Sequence, residues 1–155
     1  MSIDWSVLPL DPAIPELVEW LQRENIAVPD LHGRYPTLDE LVNVLAIFGD
    51  VPVQLEQLNE QLWNVVLGEL HSATYANMLG TVNEDGVFDF HFLGSGCRET
   101  TMLEILKRLS SSCGPLILYE PVAGTPVLVT STIEVDGVLK EWQQRIRKNY
   151  DKARQ

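Results

Sequence analysis

Residues 74–93 read TYANMLGTVNEDGVFDFHFL, two alternating runs on either side of Asn83-Glu84-Asp85-Gly86. Asp85-Gly86 supplies the positive φ that a tight hairpin turn requires. In the return run, Val87 to Leu93, the rings of Phe88, Phe90 and Phe92 fall on one face, while Asp89 and His91 fall on the other. One side of this hairpin therefore belongs to a core and the other to water or a polar cover. Thr74 to Val82 and Val87 to Leu93 are read as an antiparallel pair.

Toward the C-terminus, Gly94-Ser95-Gly96 stops the strand and Glu99 to Ser112 reads as a helix. Met102, Leu103, Leu106 and Leu109 share one of its faces, and Lys107 and Arg108 lie near its C-terminal end, where the helix dipole favours cations. Gly114-Pro115 punctuates. Leu116 to Tyr119 and Val127 to Thr132 follow as a second strand pair around a turn over Val122 to Pro126. A last helix starts at Asp136-Gly137 with the stripe Leu139, Trp142 and Ile146, extended by Tyr150; its basic tail holds Arg145, Arg147, Lys148, Lys152 and Arg154.

Toward the N-terminus, the stretch 54–70 carries Leu55, Leu58, Leu62, Val65 and Val66 at helical spacing and is read as a helix. A strand over Trp63–Leu70 competes, because Val65, Leu67 and Glu69 also alternate with their neighbours. Thr37-Leu38-Asp39-Glu40 is a capping box that opens a helix ending at Gly49. Asp11 as N-cap with Pro12 at the first helical position opens another, running to about Asn25. Residues 1–10 read as irregular. The fold class is α+β: N-terminal helices followed by a ββαββα arrangement, an antiparallel sheet with helices packed on one face. A single domain over 1–155 is expected, with 1–71 a mainly helical acidic part and 72–155 sheet plus helices.

The chain has 22 acidic residues against 11 basic ones, a formal net charge of −11. Residues 1–76 hold 12 acidic and 2 basic residues, so nearly all the excess lies in the first half. A protein that neutralised nucleic-acid phosphates would carry the opposite sign. No run reaches the 18 or so apolar residues of a membrane span. The N-terminus has neither the basic nor the apolar region of a secretory signal. Two cysteines, Cys97 and Cys113, make no disulfide framework. A cytoplasmic protein with no nucleic-acid or membrane partner is expected.

Metal-ligand spacing is absent: His32, His71 and His91 are not spaced i, i+4, and neither cysteine belongs to a CxxC. No metal and no cofactor are expected. The pairs Asp39/Glu40, Glu56/Glu60 and Glu84/Asp85 read as capping box, helix surface and turn rather than as acid–base pairs, so no catalytic residue is assigned. The basic tail reads as a solvated terminal helix.

Two functional readings lead, and a structural subunit of a homo-oligomer, with unpaired sheet edges mated between copies, is a third. Carboxylates beside an aromatic residue suit a surface for a basic partner, and Glu16, Glu19, Trp20, Asp39, Glu40, Glu56 and Glu60 are its candidate contacts. Bacterial immunity proteins that neutralise basic nuclease toxins share this physical profile, in which carboxylates meet the toxin's charge and speed encounter. The first expectation is thus a non-enzymatic inhibitor of that kind, with a homodimer open as its oligomeric state. The alternative is a thiol-dependent or small-ligand-binding enzyme at Gly94–Glu99. There a glycine-bracketed turn into a helix would bring Cys97 close to a helix N-terminus, with His91 and Asp89 on the preceding strand.

Overall fold

The computed structural model describes residues 4–94, 96–122 and 124–153. Ser95 of the glycine-bracketed turn, Arg154 of the basic tail and the first three residues of the N-terminal reading lie outside them. In chain order the elements are β1 (Trp5–Pro9), α1 (Pro15–Arg23), α2 (Leu38–Leu45), β2 (Val53–Gln57), β3 (Leu62–Leu67), β4 (Ala76–Val82), β5 (Phe88–Phe92), α3 (Glu99–Cys113), β6 (Leu116–Glu120), β7 (Thr125–Val129) and α4 (Val135–Ala153). The strands form one antiparallel sheet in the order β2-β3-β4-β5-β1-β6-β7. The α+β class stands.

The hairpin at its centre is the one read from residues 74–93. β4 and β5 pair from Met78↔Phe92 to Val82↔Phe88. Gly86 has φ +79°, and the Asn83 side-chain oxygen accepts from the amides of Asp85 and Val87 at 2.9 and 3.0 Å. Phe88, Phe90 and Phe92 are buried; Phe88 stacks on Phe90 with centroids 5.3 Å apart, and Phe90 meets Phe92 edge-on at 5.5 Å. They join Leu41 and Leu45 of α2, Met102, Leu106 and Leu109 of α3, and Trp142 of α4 in the main core, so these three helices share one face of the sheet.

Three element assignments are corrected. The stretch 54–70 is the hairpin β2–β3, not a helix; the competing strand reading matches β3. The Asn59 side-chain oxygen holds its tip, accepting from the amides of Gln61 and Leu62 at 3.0 and 2.9 Å. The leucines at helical spacing were not a buried stripe: Leu55 and Leu58 are 48% and 49% exposed, and pairing with β4 carries Val65 and Leu67 into the core instead. Residues 1–10 are not irregular, because β1 fills the seam between β5 and β6. α1 begins at Pro15 rather than Pro12. A proline disfavours helical geometry in the residue before it. Ile14 is accordingly extended at ψ 106°, and Asp11 closes a separate turn by accepting from the Ala13 amide at 3.0 Å.

Helices do not all lie on one face. Leu17 and Leu21 of α1 pack with Leu8, Ile117 and Leu128, which alternate out of the main core, so α1 covers the opposite, outer face over β1, β6 and β7. The outer face of β2–β5 keeps its side chains exposed or half-buried.

Candidate functional site

The two edges of the sheet are treated differently. At β7, the Trp142 indole donates to Thr125 O at 3.2 Å and the Arg145 guanidinium to Pro126 O at 2.7 Å, so α4 covers that edge. At β2, Leu58 N donates to Leu62 O and Gly68 N to Pro52 O, both at 2.8 Å. With the register Val53↔Leu67 to Gln57↔Trp63, the even-numbered residues of β2 thus face β3. Val53, Leu55 and Gln57 therefore turn their amides and carbonyls outward, and β2 is an open edge.

This edge continues into the outer face. Glu56, Asn64, Leu79 and His91 lie side by side across β2, β3, β4 and β5. Glu56 is exposed there with Gln54, and Asp89 lies one row away. The Asn64 amide bridges to Asn77 Oδ1 and to Met78 O, which locks the middle of the face. His91 Nε2 stands 4.0 Å from Asp4.

The chain that builds α2 and β2–β5, from Tyr35 through Cys97, contains nine carboxylates and no lysine or arginine. Arg34 and Arg98 border it; Arg98 is exposed, and Arg34 is already engaged. It grips Glu40 with two hydrogen bonds of 2.7 and 2.8 Å. Among the described residues, half of the sheet is thus a surface without lysine or arginine, with one open face and one open edge. The chain matches no family model, no curated protein and no solved structure.

The seven expected contact residues are divided among three places. Glu16, Glu19 and Trp20 ride on α1 at the β7 end of the sheet, whereas Glu56 and Glu60 lie on β2 and its hairpin tip at the far edge. Asp39 and Glu40 are on α2, across the sheet from α1. Trp20 is held in place by packing: its indole donates to Gly124 O at 3.0 Å and its ring meets Tyr119 edge-on at 5.1 Å, leaving it half-buried. Glu56 and Glu60 are on a strand and a turn, not on a helix surface. Asp89, facing outward three strands away on β5, was not among the expected contacts. The long cation-free run was the signal in the sequence that marks this half.

Glu40 is a fixed structural group. It accepts from the Thr37 amide at 2.9 Å, completing the capping box, and holds Arg34, whose hydrogen bonds are the main reason its pKa falls to about 2. Because folding lowers this pKa, the pair stabilises the fold above the ordinary carboxylate value of about 4.3. That contribution drains away as pH falls toward about 2. Arg34→Ala is expected to cost about 1 kcal/mol at neutral pH, kept modest by the half-exposed guanidinium. In urea titrations the gap to the parent protein should close on acidification through this range. A gap of equal size at both ends would mean that the pair contributes nothing.

At the turn into α3, the Cys97 thiol donates to Leu93 O at 2.8 Å and accepts from the Asn77 amide at 3.4 Å. Burial pushes this thiol up, despite the helix N-terminus nearby. Cys97 packs against the main core while His91 and Asp89 face outward, so Cys97 lies on the other side of the sheet from the two. His71, not His91, shares the adjoining cleft of about 550 Å³ with Cys97. Among the described residues no group of three His, Cys, Asp or Glu is arranged to hold a metal ion, and no helix is long and apolar enough to cross a membrane.

Proposed function

We propose that the chain is a non-enzymatic inhibitor that takes a basic protein partner on the acidic half of its sheet, as an immunity protein takes a cognate nuclease-type toxin. The observation that carries this reading is the coincidence of the cation-free segment with the uncovered face and open edge of β2–β5. Carboxylates there steer a cationic surface during encounter. The outward amides and carbonyls of Val53, Leu55 and Gln57 offer it main-chain pairing, the mode of strand addition. A second copy of the chain fits this edge less well, since it would bring the same uncompensated charge against its own kind. Two free cysteines agree with a cytoplasmic location.

The test is to capture the partner from native cells, identify it, and measure association between roughly 0.01 and 0.15 M salt, over which the screening length contracts from about 30 to about 8 Å. The partner is expected to be basic and to associate about tenfold more slowly at the higher salt. Glu56→Lys combined with Glu60→Lys should slow it by a similar factor and remove protection of cells that express the partner. An association rate indifferent to salt and to both reversals overturns the reading.

A further inference from the structure

Between the C-terminal end of α1 and the last turns of α4 lies a cleft of about 610 Å³, walled by Trp20, Arg23, Glu24, Arg145, Lys148 and Lys152. Its size is within the range of small-molecule sites. The α4 residues recur at three- and four-residue spacing, so one face of that helix delivers them all.

The floor is built and internally compensated. Arg145, whose side chain is only 15% exposed, is fixed by Pro126 O and by Glu141, and stands 3.9 Å from Glu24. Asn149 donates to the Glu24 carboxylate at 2.8 Å and to Thr125 Oγ1 at 2.9 Å. The one acid in the cleft is therefore already answered. The rim differs. Arg23, Lys148 and Lys152 are exposed, and among the described residues no carboxylate lies within ion-pair distance of any of them. Three exposed cations thus meet at one opening. Their mutual repulsion is relieved by an anion.

Trp20 sets the rest of the ligand. Its indole N–H is held by Gly124 O and its ring is braced on Tyr119, so a fixed aromatic wall stands beside the cations. We propose that this cleft binds a small organic phosphate of nucleotide type, with phosphates at Arg23, Lys148 and Lys152 and its ring against Trp20. The site is at the opposite end of the sheet from β2 and stands apart from the docking reading.

The experiment is an amide and indole NMR titration of the full chain with magnesium-free ATP, inorganic pyrophosphate and adenosine in turn, at low salt. ATP should shift the signals of Arg23 to Asn25, of the last three turns of α4 and of the Trp20 indole. Pyrophosphate should move the amides at lower affinity and adenosine should bind weakest. Arg23→Gln with Lys148→Gln, both at exposed positions, should weaken ATP about tenfold or more while the remaining spectrum stays unchanged. ATP that leaves these signals in place at about millimolar concentration overturns the site. Equal affinity for pyrophosphate and ATP overturns the nucleotide assignment.

Discussion

Trp142→Ala is expected to remove about 3–5 kcal/mol of unfolding free energy, a large fraction of what a domain of this size commands. Trp142 is fully buried, its ring lies 5.3 Å from that of Trp5 in an edge contact, and its indole N–H donates to Thr125 O. One side chain thus joins α4, β1 and the outer edge of β7. Alanine leaves a cavity that the surrounding sheet cannot collapse to fill, and it uncovers a strand edge that α4 now protects. Urea titration measures the loss. Trp142→Phe, which keeps most of the ring volume and loses the hydrogen bond, should cost about half as much. A cost below about 1 kcal/mol for alanine would mean that α4 is held by other contacts. The variant should also weaken any anion held between α1 and α4, because Arg145 and Lys148 depend on the same docking.

Gly80→Ala is expected to cost roughly 3 kcal/mol, large for the addition of one methyl group. Gly80 stands between Trp63 of β3 and Phe90 of β5. A Cβ there would meet Asp89 O at 2.0 Å and the Phe90 Cα at 2.6 Å. Both are backbone atoms in the central hairpin and cannot rotate away. The two strands must part, which disturbs the adjacent rows that carry Leu79 and Asp89 on the outer face. Gly49→Ala is the comparison: it has φ +67° with nothing within 4 Å, so backbone strain alone, with no close approach, is at stake. Amide exchange across β4 and β5 should accelerate in Gly80→Ala alone. If the two substitutions cost the same, close approach of the strands is not the cause.

The elements that were legible in the sequence share a local cause. The β4–β5 hairpin follows from a two-residue alternation and an Asn83–Gly86 turn whose bonds close within four residues. The start of α2 follows from the reciprocal bonds of Thr37 and Glu40, three positions apart. Where the reading went astray, local preference was divided. Leu55, Leu58 and Leu62 suit a helix as well as a hairpin, and pairing with β4 decides between them. β1 is five residues ending in a proline, too short to announce itself; it becomes a strand because β5 and β6 leave main-chain groups on either side that need partners.

The same division holds for the site. Charge balance and the long cation-free run are properties of the chain alone, and they make part of this molecule acidic whatever its fold. Which carboxylates remain available is a tertiary matter. Glu40 is engaged by Arg34, while Glu56 looks outward from an open strand. Cys97 is near His91 and Asp89 in sequence and is parted from them by the sheet, whereas Arg23 and Lys148 are far apart and share one cleft. Turns and caps depend on bonds a few residues long, so the order of residues determines them. Faces, edges and clefts depend on contacts between distant segments, and only the completed packing decides which side chains meet there.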